Sequence, residues 1–184
     1  TWIWTGCILM ALGGLLAAGD KRYRRAQEQA RAPQPAMAGA ADVVRHPIPG
    51  SDFPIAAAVE VPAGKTTVYV SGKVPGVINP DAPKGSLEAY GDTKAQTVNV
   101  LTQIQQQLET LGLGMKDVVK MQVFLVGGPE TDGKMDFAGF MEGYRQFFGD
   151  QANQPNLPAR SAFQIAALGN PNHRVEIEVV AVRP

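Results

Sequence analysis

Beyond residue 52 the chain alternates between segments with the twofold period of a strand and segments with the 3.6-residue period of a helix. The twofold period predicts strands at 55–61, 66–71, 118–126, 159–167 and 175–182. The helical period predicts helices at 92–111 and 136–148. The turn at 62–65 predicts that the first two strands form a hairpin. The order β-β-α-β-α-β-β indicates an α+β fold, a mixed sheet with both helices on one face.

The second predicted helix carries an aromatic stripe. Asp136 can cap its first turn. The apolar side chains after it recur at helical spacing and are Phe137, Phe140, Met141, Tyr144, Phe147 and Phe148. Such a stripe is typical of a helix packed on a sheet rather than of a cofactor site. Because two helices cover only one face of the sheet, we expect self-association to cover the other.

The N-terminal part of the chain differs from the rest. Residues 2–18 carry no charge, and a transmembrane helix needs about 20 apolar residues. We therefore predict a membrane helix with a basic flank over 1–25. Basic residues follow the apolar run at 21–25, so the positive-inside rule predicts that the rest of the chain lies on the cytoplasmic side. A cleaved signal peptide, which would make the protein periplasmic, remains the alternative. Residues 26–50 are rich in Ala and Pro and are predicted to be a linker without regular structure ahead of a domain at 51–184.

The same N-terminal segment resembles the C-terminal transmembrane helix of the CcmF cytochrome c haem-lyase subunits. The likeness rests on WIWTGCILMALGG followed by DKRYR and covers residues 2–25 only. It implies a gene fusion or a fragment. Membrane attachment would then run through residues 2–18.

The charge balance and the small numbers of cysteine and histidine argue against several classes of function. The whole chain has a formal net charge of zero, but residues 42–184 hold 12 basic and 15 acidic side chains. This balance argues against a nucleic-acid partner for the domain. The single cysteine excludes an intramolecular disulfide and a multi-cysteine zinc site, and two histidines are too few for a histidine-based metal centre. The sequence also lacks GxxxxGK[ST], HExxH and GxSxG, which argues against the commonest nucleotide-binding, zinc and serine-hydrolase sites.

Polar residues inside the closing strands are the candidates for chemistry. Alternation places Arg160, Ala162 and Gln164 on one strand face, and Glu176 and Glu178 together on a face of the last strand. A solvated face with cross-strand ion pairs and a binding site both fit this spacing.

Three motifs resemble the RidA (YjgF/YER057c/UK114) family and occur in that family's order over about 52–184. They are YVSGKVP at 69–75, LPARS at 157–161 and VEIEVVAV at 175–182. The resemblance implies a chorismate-mutase-like fold and a homotrimer with ligand clefts between subunits. It also implies an imine/enamine deaminase that hydrolyses reactive 2-imino acids to 2-keto acids and ammonia, with no metal and no organic cofactor.

The resemblance assigns roles to four residues. Arg160 would grip the substrate carboxylate, for which a planar guanidinium is well suited. Glu176 would orient or deprotonate the attacking water. The backbone of Ser71 and Gly72 would line the cleft. Arg160 and Glu176 are thus the predicted catalytic residues.

The sequence also departs from the family pattern. Ala58 stands where the deaminases carry a tyrosine, Ala162 where a cysteine is frequent, and Met141 where an asparagine is expected, while the loop at 127–134 is longer than usual. These changes leave open a noncatalytic trimeric protein that binds small 2-keto or 2-imino carboxylic acids. A fragment of cytochrome c maturation machinery is the third possibility.

Overall fold

The computed structural model describes residues 42–184, in which six strands form one mixed sheet. The strands are β1 Val44–Pro47, β2 Ala56–Glu60, β3 Thr67–Lys73, β4 Val118–Leu125, β5 Ala159–Gln164 and β6 Val175–Val182. The helices are α1 Leu87–Tyr90, α2 Thr93–Thr110 and α3 Phe137–Tyr144. The spatial order of the strands is β1-β2-β5-β4-β6-β3. The predicted α+β fold is confirmed, with β1 and α1 as additions.

The core lies between the sheet and the two longer helices, α2 and α3. Leu101, Ile104 and Leu108 of α2 and Phe140 and Tyr144 of α3 are completely buried in one cluster with side chains of β4 and β6. On the other face of the sheet Tyr69 is 80% exposed and Phe163 is 47% exposed. The helices therefore cover one face, as predicted, and the other face presents large apolar groups to its surroundings.

Helix α3 connects two parallel strands, β4 and β5, which pair over six positions. Parallel neighbours require a long crossover connection, and α3 supplies it. Asp136 caps the helix by accepting a hydrogen bond from Gly139 N at 2.8 Å, as predicted. The helix ends at Tyr144, four residues earlier than predicted, and turns carry the chain on to Phe148. This crossover packs the aromatic stripe beside β5, the strand that carries Arg160.

The predicted hairpin of the first two strands is wrong. The turn at 62–65 exists, with Lys65 N donating to Pro62 O at 3.4 Å and Gly64 at a φ of 85°. However, β2 pairs with β1 and β5, and β3 pairs with β6 at the opposite edge. Since β2 contributes three consecutive alanines, it offers little cross-strand side-chain contact, whereas β3 pairs with a longer strand of valines and isoleucine.

The prediction that residues 26–50 lack regular structure is wrong for β1. Pro47 is tolerated there because it ends a strand at the sheet edge, where no further ladder bond is needed. Arg45 fixes this strand, since its guanidinium donates to three backbone carbonyls, those of Lys116, Val118 and Leu157, at 2.7–2.9 Å.

The predictions for residues 1–41, namely the membrane helix, the signal peptide, the CcmF likeness and most of the linker, lie outside the described residues. Within residues 42–184 no helix is long and apolar enough to cross a membrane.

Candidate active site

Arg160 lies on the helix-covered face of the sheet, in a box of aromatic rings. Its cross-strand neighbour is Met121, which is completely buried. The centre of its guanidinium is 4.3 Å from the centroid of the Tyr144 ring and 5.0 Å from that of Phe140. The rings of Phe53 and Phe137 follow at 5.4 and 5.9 Å. The electron-rich faces of aromatic rings attract a cation, so this box holds the guanidinium without neutralising it.

The polar contacts of Arg160 support the same conclusion. Its Nη1 donates to the thioether sulfur of Met141 at 3.3 Å. The ion pairs within residues 42–184 are His46–Glu60, Lys94–Glu142 and Arg174–Glu130, and Arg160 belongs to none of them. Burial lowers the pKa of Arg160, but a guanidinium remains charged near neutral pH. A half-buried cation without an anionic partner is suited to binding a carboxylate.

Tyr144 provides the platform beneath this guanidinium. Its hydroxyl donates to the backbone oxygen of Pro54 at 2.8 Å, which fixes the ring against the segment before β2. Burial raises the pKa of Tyr144, so its phenol stays neutral.

Glu176 lies on the other face of the sheet, above the backbone of Gly72. Its cross-strand neighbour is Phe124, which also pairs with the exposed Phe163. A Cβ at position 72 would collide with Glu176 Oε1, so the carboxylate occupies the space that the side chain of any other residue would need. The ladder between β3 and β6 is irregular between Val70 and Lys73, at the point where Gly72 meets Glu176.

Ser71 lines a shallow cavity of about 170 Å³ on the same outer face. The polar side chains around it include Lys120, Gln122 and Glu178. Neither Glu176 nor Glu178 forms an ion pair within the described part of the chain, which does not match the expectation of a solvated face with cross-strand ion pairs.

The structure thus brings Glu176, Gly72 and Ser71 to one region and places Arg160 elsewhere. Met121 and Phe124, their respective neighbours on β4, are three residues apart. Side chains alternate along a strand, so positions separated by an odd number face opposite sides. Within one chain, Arg160 and Glu176 therefore point to opposite faces of the sheet.

Two features near Arg160 were missed at the level of sequence. The aromatic stripe of α3 was assigned to the core, yet Phe137 is 36% exposed and borders the guanidinium. Gln164 lies on the same strand face as Arg160. It ties the loop at 127–134 to β5, donating to Gly133 O at 2.7 Å and accepting from Met135 N at 3.0 Å. Alternation along β5 places Arg160 and Gln164 on one face, but no signal in the sequence shows that α3 covers that face.

Comparison with known proteins shows the family to which the chain belongs. The family model described as Endoribonuclease L-PSP (Ribonuc_L-PSP) matches residues 53–183. The chain belongs to this family. It is the RidA/YjgF family, so the resemblance over about 52–184 is confirmed.

Relatives in this RidA/YjgF family include enzymes and proteins named only by family. The chain is 34% identical over 116 residues to a RutC family protein of Haemophilus influenzae, covering 63% of this chain and 78% of the relative. It is 33% identical over 135 residues to human 2-iminobutanoate/2-iminopropanoate deaminase, covering 73% and 84%. The crystal structure of E. coli TdcF with bound serine aligns at a TM-score of 0.50 and 30% identity, covering 74% and 93%.

Proposed function

We propose that this protein hydrolyses reactive 2-imino acids to 2-keto acids and ammonia, at clefts formed between subunits of a homotrimer. The proposal rests on Arg160, whose guanidinium lies among aromatic rings and forms no ion pair within residues 42–184. Such a guanidinium can bind the carboxylate that every 2-imino acid carries. Relatives at about a third identity are 2-iminobutanoate/2-iminopropanoate deaminases, and TdcF binds serine, which also carries a carboxylate.

The proposed reaction needs no redox step. Arg160 holds the carboxylate through two parallel hydrogen bonds and so fixes the imine carbon. Glu176 orients a water molecule and accepts a proton from it as the water oxygen bonds to that carbon. Glu176 passes this proton to the imine nitrogen, which receives the C=N π electrons, and the carbinolamine forms. The C–N bond then breaks as the C=O bond forms, and the hydroxyl proton passes through Glu176 to the nitrogen, which leaves as ammonia. The products are the 2-keto acid and ammonia, so atoms and charges balance.

The placement of these residues on opposite faces favours a site built from two copies of the chain. Arg160 of one subunit would face Glu176, Ser71 and Gly72 of the next, which agrees with the intersubunit clefts that the resemblance implies. The exposed Tyr69 and Phe163 lie on the face that self-association would cover.

Ammonia release from freshly generated 2-iminobutanoate tests the proposal. We expect Arg160→Ala and Glu176→Ala each to abolish the acceleration, because one loses the carboxylate anchor and the other the water-orienting group. Arg145→Ala is the matched control, since it removes an exposed arginine next to Tyr144 and should leave the rate unchanged. Wild-type rates in both site variants would refute the mechanism.

A second candidate is a noncatalytic protein that binds small carboxylic acids. Met141 and Ala58 favour it, because both replace polar side chains expected in the deaminases. It predicts Arg160-dependent binding of 2-oxobutanoate without faster imine hydrolysis. The cytochrome c maturation alternative rests on residues 2–25 alone, and we do not propose it.

We do not propose ribonuclease activity from the family description. Residues 42–184 hold 12 basic and 15 acidic side chains, and such a surface does not attract a polyanion.

A further inference from the structure

We infer that Met141 is a positioning residue for Arg160, an inference that rests on the proposed function. Its thioether accepts a hydrogen bond from Arg160 Nη1 at 3.3 Å and, being uncharged, leaves the positive charge free for an incoming carboxylate. Met141 is only 6% exposed and lies on α3 between two ring contacts of the same guanidinium, Phe140 and Tyr144. One short helix thus supplies the acceptor and most of the aromatic box.

The choice of acceptor decides what Arg160 can bind. A guanidinium has five N–H donors and no acceptor. Within the described residues, its Nη1 donates to the Met141 sulfur, the Tyr144 hydroxyl is a second uncharged polar group beside it, and the faces of the Phe53 and Phe137 rings lie further out. A carboxylate at position 141 would instead form a bidentate ion pair, which would consume the donors and the charge that the substrate needs. A neutral acceptor orients the guanidinium without competing for it.

A purely structural role for Met141 is the rival explanation, and the two explanations rank substitutions in opposite order. If only packing matters, Met141→Leu should be best tolerated, because it keeps the apolar volume. If the acceptor matters, Met141→Gln should be better tolerated, because it keeps the side-chain length and offers a neutral oxygen. Met141→Glu keeps an acceptor of similar length but adds the charge.

The experiment measures kcat and KM for 2-iminobutanoate, and the Kd of 2-oxobutanoate, with the full chain and these variants. Losing one hydrogen bond that orients the carboxylate anchor should raise KM and Kd about two- to tenfold in Met141→Leu, with kcat little changed. Met141→Gln should restore both values, and Met141→Glu should weaken binding by about a hundredfold or more, because it neutralises the anchor. Met115→Leu is the matched control, a buried methionine outside the Arg160 box.

The outcomes separate this inference from the proposed function. Wild-type KM in Met141→Leu together with impaired Met141→Gln means that packing alone matters and overturns the inference. Unchanged binding in Met141→Glu overturns it as well. If the wild-type protein binds 2-oxobutanoate but does not accelerate ammonia release, the catalytic proposal fails. The ranking of the Kd values for 2-oxobutanoate then still decides the role of Met141. Absence of both activity and binding in the unchanged chain overturns the proposed function together with this inference.

Discussion

Replacing Arg160 by methionine should remove anion binding without destabilising the protein. Methionine has a similar unbranched shape and would lie among Phe53, Phe137, Phe140 and Tyr144, where a thioether packs well. Arg45 is the matched comparison, because its guanidinium is also half-buried but donates to three backbone carbonyls. The same substitution should therefore destabilise the protein at position 45 but not at position 160.

The magnitudes follow from what each guanidinium touches. Contacts with rings are worth about 0.5–2 kcal/mol each and do not add fully, while taking a charge out of water costs several kcal/mol. We therefore expect Arg160→Met to be neutral or to raise the free energy of unfolding by about 1–2 kcal/mol. Arg45→Met leaves three carbonyls without their donor and should lower it by roughly 2–4 kcal/mol.

Urea denaturation of the full chain at one fixed protein concentration measures both values, because the stability of an oligomer depends on concentration. Calorimetric titration with 2-oxobutanoate measures binding in the same preparations. A loss of more than about 1 kcal/mol in Arg160→Met would show that Arg160 is a structural residue and would refute the reasoning from its missing partner.

Three further predictions follow from contacts elsewhere in the fold. Gly72→Ala places a methyl group where the Glu176 carboxylate lies, so we expect a large loss of ammonia release, while the free energy of unfolding falls by no more than about 1 kcal/mol because the flexible end of the side chain can move. If Gly72→Ala releases ammonia as fast as the wild-type protein, the proposed role of this contact is contradicted. Tyr144→Phe removes the buried bond to Pro54 O and should cost about 1–3 kcal/mol in urea denaturation, and no change would show that this bond does not fix the ring. Hydrogen bonding to Arg174 holds the pKa of Glu130 below its ordinary value of 4.5, so this ion pair stabilises the fold above that pH and stops doing so as the pH falls through the lower, folded-state pKa. Glu130→Gln should remove this part of the acid dependence of the urea midpoint, and an unaltered dependence would argue against it.

Local signals in the sequence predicted much of the fold. The start of α2 near Asp92, the cap at Asp136 and the strands β4 and β6 follow from short-range periodicity and capping. Strand partners do not, because pairing is decided by contacts between distant segments. The hairpin prediction failed for this reason, and β1 was missed because Pro47 and Pro49 indicate a linker unless the edge position of the strand is known.

The candidate site shows the same division between local and long-range information. Alternation within β5 and β6 correctly placed Arg160 with Gln164 and Glu176 with Glu178. It could not relate one pair to the other, because the relative face of two strands depends on their register across β4. Nor could it show that the aromatic stripe surrounds Arg160, since a helical period says which side is apolar and not which polar group lies against it.

Subunit complementation tests most directly whether the site is shared between two copies of the chain. Arg160→Ala and Glu176→Ala proteins, each inactive alone, are unfolded together in equal amounts, refolded and assayed for ammonia release from 2-iminobutanoate. If each cleft takes Arg160 from one subunit and Glu176 from its neighbour, random assembly restores both residues in about one quarter of the clefts and about one quarter of the wild-type activity. If the mixture stays as inactive as the two separate variants, while wild-type protein carried through the same procedure recovers its activity, the shared site is contradicted.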